Sequence, residues 1–367
     1  MSFPIEQVLG FVPLMQVIEA VRPGIPNPLP ASFMTVTDRV EGDRALLTRT
    51  YGQRKLANRI PYGSPPVQTV QQKIDEIPVI LPSYGNTIRM DPNVLVKLRS
   101  LDAYEFNRGK QMVALQMKSF VQRFVNTRVA AAFSMLVNGK LWYDTDGELL
   151  PSSSGADASK TIDAAVLASH QGQIALDTGG ADIIDVSWST ASANILTHIN
   201  KIKLAALKST GRPLKYAFYG MNIPRYMADN DDVRYFLARD GKMDSEYLRG
   251  GTIPNGLFDL TWIPFWEAFF EDSDETNQNL MGADNVVFAP EPDGDWWGYV
   301  EGSTPTPTTI DVQADMTAAL NSLEFKTGMY AYAHVTMAPA GIEMVHGDCN
   351  LPWLKAPDSI FQVDTVL

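Results

Sequence analysis

The chain has 367 residues, 45% hydrophobic and 20% charged, with 24 prolines and 26 glycines, enough apolar material for two or three domains and too much for a disordered chain. Its net charge of −12 excludes a free nucleic-acid binder that works through a basic surface. If it encloses DNA, it does so as a wall with little overall attraction for it.

The first 21 residues contain no basic n-region, and Glu6, Pro13 and Glu19 interrupt their apolar run, so no secretory signal is expected. No stretch reaches the roughly 18–20 apolar residues of a membrane span. Val8, Phe11, Met15 and Ile18 fall at helical spacing and predict a short amphipathic helix over 5–20. Pro23, Pro26, Pro28 and Pro30 cannot continue it and predict an extended arm with little to bury on itself. Such an arm suits draping over another surface. Cys349 is the single cysteine, so no intrachain disulfide forms and a reducing compartment is expected.

Residues 33–62 predict a charged hairpin. Phe33, Thr35 and Thr37 start a strand-like alternation that resumes from Val40 to Thr50, after a turn at Glu41, Gly42 and Asp43. Arg44, Arg49, Arg54, Lys55 and Arg59 crowd this segment, with Asp38, Glu41 and Asp43 nearby. Two readings stay open: a solvated charged hairpin, or a projecting loop whose charges pair with other subunits.

Pro78, Pro82 and Pro92 bracket an extended stretch over 76–91. From Lys110 to Asn138, Met117, Phe120, Phe124, Ala131 and Met135 form one helical stripe, and Gly139 stands where a left-handed C-cap belongs. The predicted helix is about 43 Å long, against a usual helix of about 11–12 residues. It reads as the spine of an elongated domain. A hairpin follows over 140–150 around Asp146-Gly147, then a loop over 151–160.

Further on, strands are expected at 183–188 and 214–219. A helix over 192–209 should turn Ile195, Ile199, Ile202 and Ala206 inward. One or two short helices fall in 222–238, and strand-like segments in 253–270 and 285–289. The Thr-, Pro- and Gly-rich stretch 299–311 reads as an exposed loop, and 323–345 has strand propensity. The mixture gives an α+β organisation, and no internal repeat of 20–50 residues is present.

The search for chemistry is nearly empty. No phosphate-binding glycine loop, nucleophile elbow or zinc-protease motif occurs. His170, His198, His334 and His346 have no metal-ligand spacing, and His346-Gly347-Asp348-Cys349 reads as a loop rather than a metal site. Asp144-Thr145-Asp146-Gly147-Glu148 lacks the register of a calcium loop and reads as a turn. The acidic runs 229–232 and 271–275 read as solvated loops. Trp296-Trp297 could stack on a sugar or base, although burial is the commoner fate of such aromatics. Neither catalytic residues nor cofactor or metal ligands are assigned, and no enzymatic activity is expected.

The order of these parts resembles the major capsid proteins of lambda-like tailed bacteriophages (the major capsid protein E family), which have the Hong Kong 97 capsid fold. The resemblance spans nearly the whole chain. It runs through Ala31-Ser32-Phe33, Leu56-Ala57-Asn58-Arg59-Ile60-Pro61-Tyr62, Ile77-Pro78-Val79-Ile80-Leu81-Pro82, and the long helix ending in Leu136-Val137-Asn138-Gly139. It closes on Leu280-Met281-Gly282-Ala283-Asp284-Asn285-Val286-Val287-Phe288.

The resemblance implies an N-terminal arm over 1–34 and an extended loop, a β-hairpin, over 35–75. A peripheral domain with the spine helix would cover 76–185, an axial domain 186–334, and the chain would return to the peripheral domain over 335–367. Pentamers and hexamers of an icosahedral shell enclosing double-stranded DNA are implied, in a virion assembled in the host cytoplasm, without sequence-specific DNA binding or membrane contact. Only about 34 residues precede the loop, so a separate scaffolding protein is implied, with a portal and in some relatives a decoration protein. Arg44, Arg49, Arg54, Lys55 and Arg59 are then the candidates for inter-subunit contact. Lys55 is the only lysine of the loop, and no cross-linking carboxylate can be placed beside it. The alternatives are an encapsulin-like protein compartment and a soluble carbohydrate-binding protein using Trp262, Trp266 and Trp296.

Overall fold

The computed structural model describes residues 29–50, 74–100, 102–145, 147–150, 160–172, 184–239, 252–265, 269–271, 277–279, 281–307, 323–337 and 340–366. The expected N-terminal helix, most of the proline arm, and the loop after the hairpin lie outside these residues.

Ala31–Met34 is one turn of 3-10 helix, not the start of a strand. Packing decides this, because Phe33 is fully buried and makes edge-on contacts with Tyr216, Phe218, Trp296 and Trp297. Trp297 Nε1 donates to the Phe33 carbonyl at 2.8 Å. The strands that follow are β1 (Asp38–Val40), β2 (Arg44–Thr50), β3 (Ile74–Ile80) and β4 (Ser83–Arg89). The expected turn at Glu41-Gly42-Asp43 does not join a hairpin. On either side of it β1 and β2 enter different sheets, and β2 pairs antiparallel with β3 from Arg44↔Ile80 to Thr50↔Ile74.

Two helices come next, α1 (Pro92–Arg99) and α2 (Ala103–Asn138). Asp91 caps the first, accepting from Asn93 N at 2.8 Å, with Pro92 at the first helical position. Asp102 caps the second, accepting from Tyr104 N at 3.1 Å. The long helix therefore begins at Ala103 rather than Lys110, because the cap sets its start and the apolar stripe only becomes regular later. Its 36 residues span roughly 54 Å. Gly139 ends it in the left-handed region at φ 66°, with its N–H on the Met135 carbonyl. A Cβ there would sit 2.5 Å from Val166 Cγ2.

After the helix run β5 (Lys140–Tyr143), β6 (Leu149–Leu150), β7 (Lys160–Asp163) and β8 (Gln171–Gly172). The expected hairpin is present as β5 and β6, closed by Glu148 N on the Asp144 carboxylate at 2.7 Å. Residues 184–188 are not a strand, although Ile184 and Trp188 are buried. Then come α3 (Ile195–Ser209), β9 (Leu214–Tyr219), α4 (Ile223–Asp229) and α5 (Asp231–Arg239). Ile195, Ile199, Ile202 and Ala206 are all buried, as the helical spacing predicts. Asp229, Asp231 and Asp232 form the junction of two helices rather than a loop. Buried Asn230 holds that junction by accepting from Val233 N and donating to the Ala191 and Ala193 carbonyls.

The remaining strands are β10 (Thr261–Pro264), β11 (Phe269–Glu271), β12 (Asn277–Asn279), β13 (Asn285–Pro290), β14 (Trp297–Pro307), β15 (Leu323–Thr327), β16 (Tyr330–Met337), β17 (Ala340–Leu354) and β18 (Phe361–Asp364). The segment expected as a loop at 299–311 is largely strand β14. Gly and Thr composition misled there, because this strand lies between neighbours: β17 pairs with its first half, β1 runs parallel to Val300–Gly302, and β15 pairs with its end.

Two sheets organise the molecule. One is five-stranded, in the order β10-β9-β13-β18-β8. Both of its faces are covered, so its strands read as continuous apolar runs. Tyr216, Phe218, Val287 and Ala289 face the main core, whereas Ala217, Tyr219, Val286 and Phe288 face a second core under α3. The other sheet is six-stranded, with β14, β17 and β16 in sequence and β4 also on β17. Helix α2 crosses two environments. Ala130–Val137 lies in the main core, whereas Val113 and Met117 pack with α1, β16 and β17 in a third cluster.

Candidate functional site

Strands β2 and β3 form a two-stranded ribbon with sharply different faces. Ala45 and Leu47 are buried, and Ile77 and Val79 pack partly against the main core. Strand alternation sends Arg44, Leu46, Thr48, Ile74, Glu76, Pro78 and Ile80 outward, and all are exposed. Leu46 is 70% exposed and pairs across the ladder with Pro78, and Arg44 pairs with Ile80 at 50%. The outward face thus carries an apolar row flanked by Arg44 and Glu76. Isolated exposed leucines need no explanation, but Leu46, Pro78 and Ile80 adjoin on one ribbon face, which makes it a candidate contact surface.

The five basic candidates separate on this ribbon. Arg44 points outward with the apolar row. Arg49 lies on the inward face, where its Nη2 donates to the Ala164 carbonyl at 2.8 Å and the Asp163 carbonyl at 3.5 Å. Arg49 therefore fastens the ribbon to its own subunit, and its Nε is buried without a partner. Arg54, Lys55 and Arg59 lie outside the described residues. The charge pattern of the segment does not mark this apolar row. Its signal is the apolar content on both registers of Ala45-Leu46-Leu47 and Ile77-Pro78-Val79-Ile80.

A buried ionic cluster ties α2 to the large sheet. Arg128 Nε and Nη2 each reach an Asp348 carboxylate oxygen at 2.6 Å, and Arg128 Nη1 lies 3.1 Å from Glu301. Asn350 donates to Asp348 at 2.7 Å and accepts from the Tyr299 hydroxyl at 2.8 Å, and the guanidinium sits 5.7 Å from the Tyr299 ring centre. Burial lowers the Arg128 pKa, but the Asp348 hydrogen bond and charge outweigh it and hold the guanidinium above its ordinary range. Nearby, the Tyr84 and Tyr143 hydroxyls share a 2.8 Å bond. Burial pushes Tyr143 up to about 12 and Tyr84 and Tyr299 well above the usual phenol value. Every partner of Arg128 here is structural, and the cluster locks a helix to strands β14 and β17.

His346-Gly347-Asp348-Cys349 is part of strand β17, not a loop. Alternation puts His346 and Asp348 on the face toward α2 and turns Cys349 the other way, so the tetrapeptide cannot converge three ligands. Among the described residues no group of three His, Cys, Asp or Glu side chains could hold a metal. His198 has an aspartate neighbour in Asp185, at 2.7 Å from Nε2, but Trp188 Nε1 donates to Nδ1 at 3.1 Å. Both ring nitrogens are occupied, so this imidazole has no free lone pair for general-base work. Trp262, Trp296 and Trp297 are buried and cannot stack on a saccharide, and Trp266 lies outside the described residues. No helix among the described residues is long and apolar enough to cross a membrane.

No protein-family model matches the chain, and no curated protein matches it. Solved structures do. A protein from Escherichia coli CFT073, solved as a candidate prophage capsid protein, superposes with a TM-score of 0.55 at 14% identity, over 98% of this chain and 99% of that one. A phage-related protein from Bordetella bronchiseptica RB50 aligns over 97% of both chains at 10% identity and a TM-score of 0.49. The mature capsid of bacteriophage PhiM1 aligns over 89% of this chain and 83% of its own at 12% identity, with a TM-score of 0.43. The end-to-end likeness to the first of these shows the fold: this chain has the α+β, Hong Kong 97-type capsid fold that its sequence resembles.

Proposed function

We propose that the chain is a structural protein, the major capsid subunit of a tailed bacteriophage, and that it has no enzymatic role. Pentamers and hexamers would build an icosahedral shell enclosing double-stranded DNA, assembled in the host cytoplasm and retained in the virion. The observation that carries this reading is the match in fold along 98% of the chain to a candidate prophage capsid protein. The exposed apolar face of the β2–β3 ribbon supports it, because copies of the same chain would cover that row.

In this reading residues 35–75 form the extended loop, 76–185 with 335–367 the peripheral domain, and 186–334 the axial domain, after an N-terminal arm over 1–34. The ribbon's apolar row supplies contact area, and Arg44, with Arg54, Lys55 and Arg59 further along the loop, sets register by ion pairing with a neighbour. Exposed pairs contribute only about 0–1 kcal/mol each, so their effect falls on partner choice more than on affinity. Many contacts, each near the roughly 1,600 Å² of a standard interface, then add through multivalency. A separate scaffolding protein and a portal complete the assembly.

Electron microscopy of the chain co-expressed with a candidate scaffolding protein tests the proposal. Shells or ring-shaped capsomers are the expected product. Monomers under every condition, or shells that close without any scaffolding protein and take up a host protein as cargo, overturn it, the latter in favour of a protein compartment.

A further inference from the structure

The outer side of α2 is a basic surface on an acidic protein. Between Glu105 and Asp144 the sequence has no aspartate or glutamate, although the chain carries 42. Arg108, Lys118 and Arg123 in that interval are exposed, as is Arg99 of α1. Among the described residues none of these four forms an ion pair, and the ion pairs of α2 are those of Arg128. The nearby carboxylates, Asp91, Asp102 and Glu105, are confined to the starts of the two helices, where Asp91 and Asp102 serve as caps. Unpaired like charges on one face favour an anionic cover.

The same surface is apolar in a regular way. Tyr104, Arg108, Gln111, Leu115, Lys118 and Gln122 follow at alternating steps of four and three, which places them on one stripe. Leu115 is 68% exposed on it. Met112 and Val96 of α1 are exposed along its edge, where Lys97 Nζ rests 3.8 Å from Met112 Sδ. Val113 and Met117 occupy the opposite side of the helix, in the third core cluster. An apolar seam between cations, with no carboxylate past its first turn, fits an acidic amphipathic helix.

One segment of this chain has that character. Residues 1–21 contain Glu6 and Glu19 but no lysine or arginine, and Val8, Phe11, Met15 and Ile18 repeat at steps of three, four and three. As a helix, it sets Glu6 and Glu19 about 20 Å apart, close to the roughly 22 Å between Arg108 and Arg123. The tether is long enough. Leu29 is buried in the main core, which α2 enters at Ala130, about 10 Å beyond Arg123. The residues between Glu19 and Leu29 span up to about 30 Å when extended. The outward face of the β2–β3 ribbon, by contrast, sets Glu76 against Arg44 and offers two glutamates no surplus of cations.

We propose that residues 5–20 dock as an acidic amphipathic helix on the outer stripe of α2 of the same chain. The tether sets the direction: Glu19 meets Arg123, Glu6 meets Arg108, and Phe11 and Met15 cover Met112 and Leu115.

Hydroxyl-radical footprinting of the full chain, read residue by residue by mass spectrometry, tests this. Phe11→Ser/Met15→Ser removes the apolar contact and should raise oxidation of Met112 and Leu115 at least about five-fold, as the covered fraction falls. Met221 and Leu204, exposed elsewhere, should not change. Arg108→Glu/Arg123→Glu should have the same effect, and adding Glu6→Arg/Glu19→Arg to it should restore protection. Unchanged oxidation of Met112 and Leu115 in Phe11→Ser/Met15→Ser, or no recovery in the charge-swapped chain, overturns the proposal. Protection that disappears on dilution assigns the cover to a second copy and overturns docking within one chain. If a substituted chain fails to fold, the wild-type footprint decides: Leu115 should oxidise well below Leu204, which is only 52% exposed, and an equal or faster rate overturns the docking.

Discussion

Arg128 and Asp348 stand 220 positions apart in the chain and meet through two 2.6 Å hydrogen bonds beneath the long helix. The contact joins the C-terminal third of α2 to β17, the longest helix and the longest strand among the described residues. That strand pairs with β4, β14 and β16, so a displacement of the helix is felt by all three. In a shell subunit such a joint would let the helix and sheet move as one piece.

Removing one partner of this pair is expected to cost more than removing both. Arg128→Met leaves the Asp348 carboxylate, 1% exposed, with Asn350 alone, and Glu301 with Arg39 at 3.9 Å. A loss of about 3–5 kcal/mol is expected. The double variant Arg128→Met/Asp348→Leu should recover at least about 1 kcal/mol of it, measured as a double-mutant cycle by urea denaturation. Simple additivity would show that the two groups do not act together.

Gly220 separates close backbone approach from conformational freedom. A Cβ on Gly220 would lie 2.2 Å from the Gly282 carbonyl oxygen and 2.5 Å from that of Ala283. Neither can swing away, because the Gly282 carbonyl accepts from Asn285 N and the Ala283 carbonyl from Asn222 N. Gly220→Ala should destabilise by about 3 kcal/mol, the upper end for overpacking. Gly256→Ala, at φ 86° in open space, should cost about 1 kcal/mol. Thermal unfolding of both variants checks the order.

The two ribbon arginines should differ in kind. Arg49→Met releases two main-chain carbonyls within the subunit and should lower its stability by about 1–2 kcal/mol. Arg44→Met, and the pair Leu46→Asp/Ile80→Asp on the outward face, should stay within about 0.5 kcal/mol of wild type. The outward pair should nevertheless abolish shells or capsomers in sedimentation velocity and electron microscopy. Normal assembly of that variant would show that the ribbon face is not a contact surface.

Alkali should unfold the protein through its buried phenols. Tyr143 is held at about 12, against an ordinary value of 10, chiefly by burial, which also raises Tyr84 and Tyr299 well above that ordinary value. Below pH 10 the phenols are neutral in both states and stability is unaffected. Above pH 10 the unfolded chain releases protons that the folded chain retains, so stability falls as pH rises. Tyr143 alone accounts for about 2 kcal/mol by pH 12. Absorbance at 295 nm should show these tyrosines ionising only with unfolding. Earlier ionisation in a folded chain would show that their burial is incomplete.

Local patterns carried most of the elements. The stripe from Met117 to Met135 and the glycine after Asn138 placed the long helix and its end. Ile195, Ile199, Ile202 and Ala206 placed α3, and the apolar runs around Phe218 and Val287 placed two central strands. The start of the long helix escaped, because the Asp102 cap precedes an irregular first stretch. The Thr- and Gly-rich β14 also escaped, because its strand character comes from neighbours distant in sequence. The candidate contact surface was half legible. The basic residues marked the segment, but only the pairing of Leu46 with Pro78 and of Arg44 with Ile80 revealed which side chains share the outward face.

By itself the sequence determined a folded α+β chain with one over-long helix, no assembled chemistry and a charged segment in excess of its own needs. These are consequences of composition and short-range periodicity, which act within a turn or a strand. The tertiary structure decided that Arg49 faces inward while Arg44 faces out, that Phe33 plugs the core, and that Arg128 finds Asp348 with His346 left unpartnered beside them. Such pairings depend on which strands lie side by side, and sheet register couples residues hundreds of positions apart with no local trace.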